Sequence, residues 1–302
     1  MMKRVISISI GSSERNHCVE VEFLGQPFHI ERIGTDGDIN KAIELIHQLD
    51  GKVDAFGMGG IDLYIWAGTK RYTFRDGKRI ARAAKITPIV DGTGLKNSLE
   101  RRVIYWLQET GELDFKKQRV LLTCGVDRFG MAEALTELEA DVVYGDLMFG
   151  LGMPRAIHSL RALHNAANIL APVVVQLPFK LVYPTGDKQL KEAKPRWQEW
   201  YQWADVIAGD YLFIKKYMPD DLRGKTILTN TVTAKDVEDL KQRGVSTLIT
   251  TTPELSGRSF GTNVMEGVLV ALSDKPWQQL TSQDYLAMLD NLRIKPRLEK
   301  MA

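Results

Sequence analysis

Cysteine is scarce in this sequence, with only Cys18 and Cys124 among 302 residues. Two isolated thiols provide neither a disulfide framework nor the paired spacing of a zinc site. The five histidines show no metal-binding spacing either, since His158 and His164 lie six residues apart and fall on different faces of a helix. We therefore expect no bound metal, and the low cysteine content predicts a cytoplasmic protein.

An excess of one charge and a long apolar run are also absent. Forty Lys and Arg residues against 38 Asp and Glu leave a net charge of +2, and no basic block is long enough for a nucleic-acid or membrane surface. No segment approaches the roughly 20 apolar residues of a transmembrane helix. The apolar stretch at residues 4–10 is too short and too alternating for a signal peptide. We therefore expect a small molecule as the partner, and neither nucleic acid nor a membrane. The sequence leaves open whether the protein forms a homodimer.

Composition and length indicate a two-domain globular protein. Hydrophobic residues make up 44% and charged residues 26% of the chain, which is typical of a folded core. Strand patterns alternate with helical ones, which predicts an α/β fold with a parallel sheet covered by helices on both faces. We predict an N-terminal α/β substrate domain at 1–98, completed by a C-terminal helix within 273–302. A Rossmann-like dinucleotide-binding domain is predicted at 115–270.

Within the second of these regions, the chain is less regular from residue 147 to residue 204. It has a helical pattern over Arg155–Leu170 and an apolar run, Pro172–Leu177, for which we predict a strand.

The most informative stretch lies at 120–146. An apolar strand leads into a turn bounded by Gly125 and Gly130, a helix follows, and a second strand ends at Asp146. Glycines at such a turn let the backbone approach a pyrophosphate at the helix N-terminus. An acid about 20 residues further on can accept a hydrogen bond from a ribose hydroxyl, and Asp146 follows Gly125 by 21 residues. The order predicts a dinucleotide site.

The turn departs from the usual G-x-G-x-x-G pattern, because Asp127 stands in place of the middle glycine. Its carboxylate hinders and repels a pyrophosphate, although Arg128 offsets part of that charge. The alternative is an ordinary βαβ unit whose glycines serve only the turn. If a dinucleotide binds, Asp146 favours NAD over NADP, since it would repel a 2′-phosphate. The predicted cofactor-binding residues are Gly125, Arg128, Phe129, Gly130, Asp146, Asp210 and Thr231.

Polar residues follow several later apolar strands. They are Asp210, Asn230, Thr231, Thr251 and Thr252. The carboxyl ends of parallel strands line the crevice in which such sheets bind ligands, and we expect these side chains there.

Two neighbouring segments resemble the shikimate and quinate dehydrogenases. Asp91-Gly-Thr-Gly94 and Ser98-Leu99 match that family's N-T-D-G-x-G-x-x-x-S-L motif, and a passage from Gly111 leads into the glycine turn as it does there. The resemblance covers 88–146 and, more weakly, 205–272. It implies NAD(P)-dependent oxidation or reduction of a hydroxyl on a quinate- or shikimate-like hydroxy acid. It also implies a Lys–Asp pair in the interdomain cleft, in which the lysine would carry the proton and Asp91 would bind the reacting hydroxyl and hold the lysine in position.

The sequence departs from that family in its substrate pocket. The family's lysine motif is absent, and Lys70 is the best-placed substitute. By analogy, Ser12 and Ser13 stand for the N-terminal serine motif, and Asn263 and Glu266 for the glutamine of the returning helix. Asp91 has an alternative role as a local cap of a strand-to-helix turn. The alternative function is a nucleotide- or small-acid-binding protein without redox activity.

Overall fold

The computed structural model describes residues 1–67, 70–189, 191, 194–255 and 258–301. The first part of the chain forms β1 (Lys3–Ser9), β2 (His17–Phe23), β3 (Gln26–Gly34), α1 (Ile39–Leu49), β4 (Ala55–Gly59), β5 (Tyr64–Ala67), β6 (Lys70–Thr73), α2 (Arg75–Ala81), β7 (Ile89–Val90) and α3 (Thr93–Glu109).

The second part continues the alternation of strands and helices. It forms β8 (Arg119–Leu122), α4 (Phe129–Glu137), β9 (Asp141–Tyr144), α5 (Asp146–Phe149), α6 (Leu160–Val174), α7 (Gln198–Trp203), β10 (Val206–Ala208), α8 (Tyr211–Tyr217), β11 (Thr226–Thr229), α9 (Ala234–Gln242), β12 (Thr247–Thr250), β13 (Glu254–Leu255), β14 (Arg258–Ser259), α10 (Thr262–Leu272), α11 (Ser282–Asn291) and β15 (Arg297–Lys300).

The first sheet has the strand order β2-β3-β1-β4-β7, and only β2 runs antiparallel to its neighbour. Successive side chains of β1 point to opposite faces. Ile6 and Ile8 pack in one cluster with Ile46 of α1, whereas Val5 packs in another with Val264 and Val268 of α10. Both faces of the sheet are therefore covered by helices.

The second sheet has the order β9-β8-β10-β11-β12-β15, parallel except for β15. Numbered along the chain, its parallel strands follow the doubly wound order 2-1-3-4-5. The α/β prediction with two sheet-bearing regions is confirmed. The Rossmann-like arrangement is not observed, because a Rossmann sheet places its third strand beyond the second. Here β10 pairs with β8 instead.

The end of the chain is placed differently from the prediction. The element that returns to the first sheet is α10, an apolar helix buried between that sheet and α3. The stretch 273–302 instead packs α11 on α3 and adds β15 to the edge of the second sheet. The reason is that α10 is mainly apolar and nearly all of its residues are buried, which suits a helix enclosed between the first sheet and α3.

The segment 147–204 connects the two halves. The backbone N–H of Arg75 donates to the carbonyl of Val175, and that of Phe179 donates to Asp76 Oδ2 at 3.0 Å. The strand predicted over Pro172–Leu177 is wrong, since α6 continues through Pro172 to Val174 and a turn follows. No helix among the described residues is long and apolar enough to cross a bilayer.

Candidate functional site

The carboxyl ends of the two sheets face each other and enclose a cavity of about 100 Å³. In the first sheet the strand order reverses at β1, whose Ser7 and Ser9 line the cavity. In the second sheet it reverses at β8, and the turn that follows β8 contributes Asp127 and Arg128 to the lining. Such switch points are where open α/β sheets bind ligands. We call this space the polar cavity. Its charged lining residues are Arg15, Arg32, Asp62, Asp91, Lys96, Asp127, Arg128 and Asp210.

Lys96 lies at the centre of the charged residues. It sits in the first turns of α3 with 7% of its side chain exposed, and its Nζ donates to Asp62 Oδ1 at 2.5 Å and to Asp127 Oδ1. Asp62 follows β4 of the first sheet, whereas Asp127 lies in the glycine turn after β8. One buried lysine therefore joins a carboxylate from each half of the molecule.

Arg128 forms the second part of this network. Its guanidinium donates to Glu100 of α3 and to Asp210 Oδ2 at 3.2 Å, and its Nε lies 3.0 Å from Asp127 Oδ2. Asp210 in turn accepts a hydrogen bond from the hydroxyl of Tyr183 at 2.7 Å. The arginine thus ties α3, the glycine turn and the end of β10 together.

These contacts separate the pKa values of the two aspartates. Burial raises the pKa of Asp62 to about 7, the Asp127 charge adds to the increase, and Lys96 opposes it. Burial also acts to raise the pKa of Asp127, but Lys96 and Arg128 together lower it below its ordinary value. Burial opposes the charge of Lys96, yet Asp127 and Asp62 raise its pKa overall. Paired groups with divergent pKa values are suited to proton transfer.

Two buried arginines line the first sheet's side of the cavity. Arg15 lies 3.2 Å from Asp236 Oδ2, and Arg32 donates to Ser9 Oγ at 2.9 Å. Ser7, which also lines the cavity, accepts from the Nδ2 of Asn263 at 2.8 Å. Neither these arginines nor Ser7 and Ser9 were predicted from the sequence. The two serines could have been identified, because they lie at the carboxyl end of a parallel strand.

Lys96 and Glu100 were missed as well. They lie four residues apart, so they share one face of α3, and both are buried beside the apolar positions Leu95 and Leu99. Their position next to the apolar stripe could have indicated that these two charged residues are buried. Buried charged residues are rarely found without a partner, so each would then have been expected in an ion pair.

The glycine turn is closed by Asp146. Its Oδ2 accepts from the N–H of Gly125 and its Oδ1 from the N–H of Val126, both at 2.9 Å. Burial raises the pKa of this carboxyl to about 6. A Cβ on Gly125 would lie 2.7 Å from Leu163 Cδ2, so the space beside the turn is filled. The N–H groups and the acid predicted to hold pyrophosphate and ribose contact each other, and NAD binding is not confirmed.

The other predicted turn residues serve packing. Gly130 allows α4 to approach α3, because a Cβ there would lie 2.8 Å from the carbonyl oxygen of Lys96. Phe129 is buried and its ring stacks on His164 at 5.0 Å between centroids. Of the predicted cofactor residues, Arg128, Asp210 and Thr231 line the polar cavity.

The predicted catalytic pair is not brought together by hydrogen bonding. Asp91 lines the cavity, but its Oδ2 accepts from Leu63 N at 2.7 Å and its Oδ1 from Thr93 N at 3.1 Å. The bond from Thr93 is local, as the alternative interpretation of Asp91 expects, whereas the bond from Leu63 ties the turn to the segment after β4. Lys70 is exposed on β6 and is not among the cavity-lining residues. The described lysine that lines the cavity is Lys96.

The residues predicted to bind the substrate do not all line the polar cavity. Asn263 lines the cavity. Ser12 is buried with its Oγ accepting from Glu14 N, and Ser13 is exposed. Glu266 lies behind the cavity wall, where it accepts from Gly92 N at 2.7 Å and from the hydroxyl of Tyr285 at 2.9 Å.

Burial and the Asp91 charge raise the pKa of Glu266 to about 7. Within the described part of the chain, no group of three or more His, Cys, Asp or Glu residues is arranged to hold a metal ion.

Similar solved structures share little sequence with this chain. One described as a malic enzyme (malate oxidoreductase) is 12% identical with a TM-score of 0.36, covering 96% of this chain and 84% of that one. A galactofuranose-binding protein is 10% identical with a TM-score of 0.33, covering 84% of each chain. The periplasmic component of the arabinose ABC transporter from Shewanella sp. ANA-3 is 9% identical with a TM-score of 0.34, covering 89% and 84%. No curated protein matches the sequence.

Two family models match, and neither is that of the shikimate and quinate dehydrogenases. Residues 4–91 match a domain of unknown function (DUF8753), and residues 94–301 match a second domain of unknown function (DUF8754). The predicted resemblance to those dehydrogenases is therefore wrong, because the two models that match are of other families. The motif that carried the resemblance, Asp91-Gly-Thr-Gly94, spans the junction of the two matched regions. The chain belongs to the family described as the domain of unknown function DUF8754.

Proposed function

We propose that this protein binds a small hydroxylated acid in the polar cavity. The observation that carries the proposal is the enclosure of charged and hydroxyl-bearing side chains at the switch points of both sheets. Burying charges is expensive even when they are paired, and folds retain such clusters chiefly where a ligand or a reaction uses them.

The lining supplies both kinds of group that a hydroxy acid needs. Arg15 and Arg32 provide positive charge, and α10 begins at the cavity without a side-chain cap. The N-terminus of a helix attracts anions, so a ligand carboxylate is favoured there. Asp62 and the Ser7 hydroxyl provide acceptors for ligand hydroxyl groups.

The size of the cavity limits the ligand. An apolar cavity of 150 Å³ engineered in another protein holds benzene, so about 100 Å³ suits roughly four or five non-hydrogen atoms by proportion. Glycolate has five non-hydrogen atoms and lactate has six, so hydroxy acids of two or three carbons are near this size. A dinucleotide is many times larger.

Calorimetric titration with glycolate, lactate and glycerate tests the proposal. We expect at least one acid to bind, and Thr231→Val to weaken it about tenfold by removing a hydroxyl from the cavity lining. Thr251→Val is the matched control, since Thr251 is buried away from the cavity lining and its Oγ1 has no hydrogen-bond partner. Absence of binding by all three acids at millimolar concentration would overturn the proposal.

An NAD-dependent redox step is the second candidate function, favoured by the contact between Lys96 and Asp62. A lysine and a carboxyl of raised pKa can carry the proton that accompanies hydride transfer. The dinucleotide would require Asp146 to leave the glycine turn. Titration of the wild type and Asp146→Ala with NAD and with NADP tests this function. Binding of NAD or NADP to either protein supports this function. If neither protein binds either cofactor, the function is rejected.

A further inference from the structure

A second cavity adjoins the polar one. It also measures about 100 Å³, and its lining is almost entirely apolar. We call it the apolar chamber. Its lining side chains include Ile65, Phe74, Leu163, Ala166, Ala167 and Phe213. The helix α6, the β5–β6 hairpin and the glycine turn thus surround it.

Three residues belong to the walls of both cavities. They are Asp62, Asp127 and Tyr183. The ring of Tyr183 lies 5.6 Å from that of Phe179 and 5.1 Å from that of Phe213, centroid to centroid, within the apolar chamber. Its hydroxyl donates to Asp210 in the polar cavity. The tyrosine therefore stands on the boundary between a charged and an apolar compartment.

We propose that the ligand is amphipathic, with its hydroxy-acid head in the polar cavity and an apolar group of about four carbons in the apolar chamber. This inference rests on the proposed function of the polar cavity. Protein interiors are packed densely, and voids larger than a water molecule are few. An apolar space beside a small set of convergent polar groups is the usual form of a small-molecule site. The length of four carbons follows from the same comparison of volumes.

The position of Lys96 gives the inference a chemical consequence. Lys96 bonds both Asp62 and Asp127, which form the shared wall. Lys96 lines the polar cavity but not the apolar chamber, so a ligand that spans the two cavities places its head beside this lysine. Substituents on the carbon that joins the head to the apolar group are the ones that Asp62, Asp127 and Tyr183 contact.

A homologous series of 2-hydroxy acids tests the inference. Glycolate, 2-hydroxybutyrate, 2-hydroxyhexanoate and 2-hydroxyoctanoate share one head and differ in chain length. We expect calorimetric affinity to rise about fourfold for each added methylene up to about four carbons, and then to stop rising when the chamber is full.

Ala167→Leu tests the location, because Ala167 lines the chamber from α6 and is buried. The added carbons should flatten the chain-length dependence and leave glycolate affinity unchanged. Ala166→Leu, at a less buried chamber position, serves as a second variant if the first does not fold. Ala162→Leu, exposed on the same helix, is the matched control and should retain the full dependence.

The outcomes separate the two proposals. Glycolate binding without any gain from a longer chain overturns the amphipathic ligand and leaves the polar site standing. A chain-length gain that both chamber variants retain also overturns it, because the apolar group would then lie elsewhere. Absence of binding by the whole series overturns both proposals for hydroxy acids.

Discussion

Replacement of Lys96 by methionine removes a cation that contacts both Asp62 and Asp127. The methionine side chain preserves much of the apolar stem, so the change is mainly one of charge. Breaking a buried ion pair from one side costs about 3–5 kcal/mol, because it leaves an uncompensated charge. We expect a loss of this size in the free energy of unfolding at pH 8.

The loss should depend on pH. In the folded wild type the pKa of Asp62 is about 7, above its value of about 3.9 in an unfolded chain. The folded state therefore holds more protons between these values, and this contribution to stability is lost as the pH rises. Without Lys96 the two carboxyls retain protons to still higher pH. At pH 5 we expect the loss to fall to about 1–2 kcal/mol, since protonation contributes about 1.4 kcal/mol per proton and pH unit.

Urea denaturation followed by tryptophan fluorescence at pH 5, 6, 7 and 8 measures this dependence. Lys78→Met, an exposed position on α2, should stay within about 0.5 kcal/mol of the wild type. Adding Asp62→Asn to Lys96→Met should recover more than half of the loss at pH 8, because it removes one of the unpaired charges. A loss for Lys96→Met below about 1 kcal/mol, or one equal at pH 5 and pH 8, would refute the electrostatic reasoning.

Three further predictions use the same denaturation assay. Asp146→Ala should destabilise the protein by about 1–3 kcal/mol, because two N–H groups of the glycine turn lose their acceptor. Asp141→Ala, an exposed change on β9, should be neutral, and equal effects would contradict this role. Gly92→Ala should destabilise the protein more than Gly111→Ala. Both glycines have a positive φ, +93° and +75°, but a Cβ on Gly92 would lie 2.8 Å from a backbone nitrogen of α10, whereas a Cβ on Gly111 would meet nothing within 4 Å. The free energy of unfolding of the wild type should decrease as the pH rises from about 4 to about 7, in part because the pKa of Glu266 is raised to about 7. Glu266→Gln should make this dependence of stability on pH less steep. An unchanged slope would remove Glu266 as its source.

The alternation of strands and helices was sufficient to predict the class of fold, because buried parallel strands have clear apolar runs. Two elements lacked such a signal. The edge strand β15 is Arg-Leu-Glu-Lys, and charged residues are common on sheet edges and hide the strand pattern. The run after Pro172 is apolar enough for a strand, yet a buried helix end has the same composition.

The site was predictable where it follows a rule of topology. Of the residues expected at the carboxyl ends of parallel strands, Asp210, Asn230 and Thr231 line the polar cavity. Thr251 and Thr252 were expected there too, but they are buried outside the cavity lining. Arg15 follows no such rule, because it reaches the cavity from the loop after β1 and meets Asp236 of the other half. Contacts between residues more than 200 positions apart depend on how the two sheets are docked, and no local pattern encodes that.

Asp127, the residue that departs from the dinucleotide pattern, explains how the turn is used. A glycine at this position leaves room for a phosphate, whose negative charge would meet nearby cations. The Asp127 carboxylate supplies that negative charge from the chain itself and contacts Lys96 and Arg128. Asp146 supplies an acceptor for the turn N–H groups in the same way. The two acids thus contact the groups that a pyrophosphate would use, which is why we propose a small acid and not a dinucleotide as the ligand of the polar cavity.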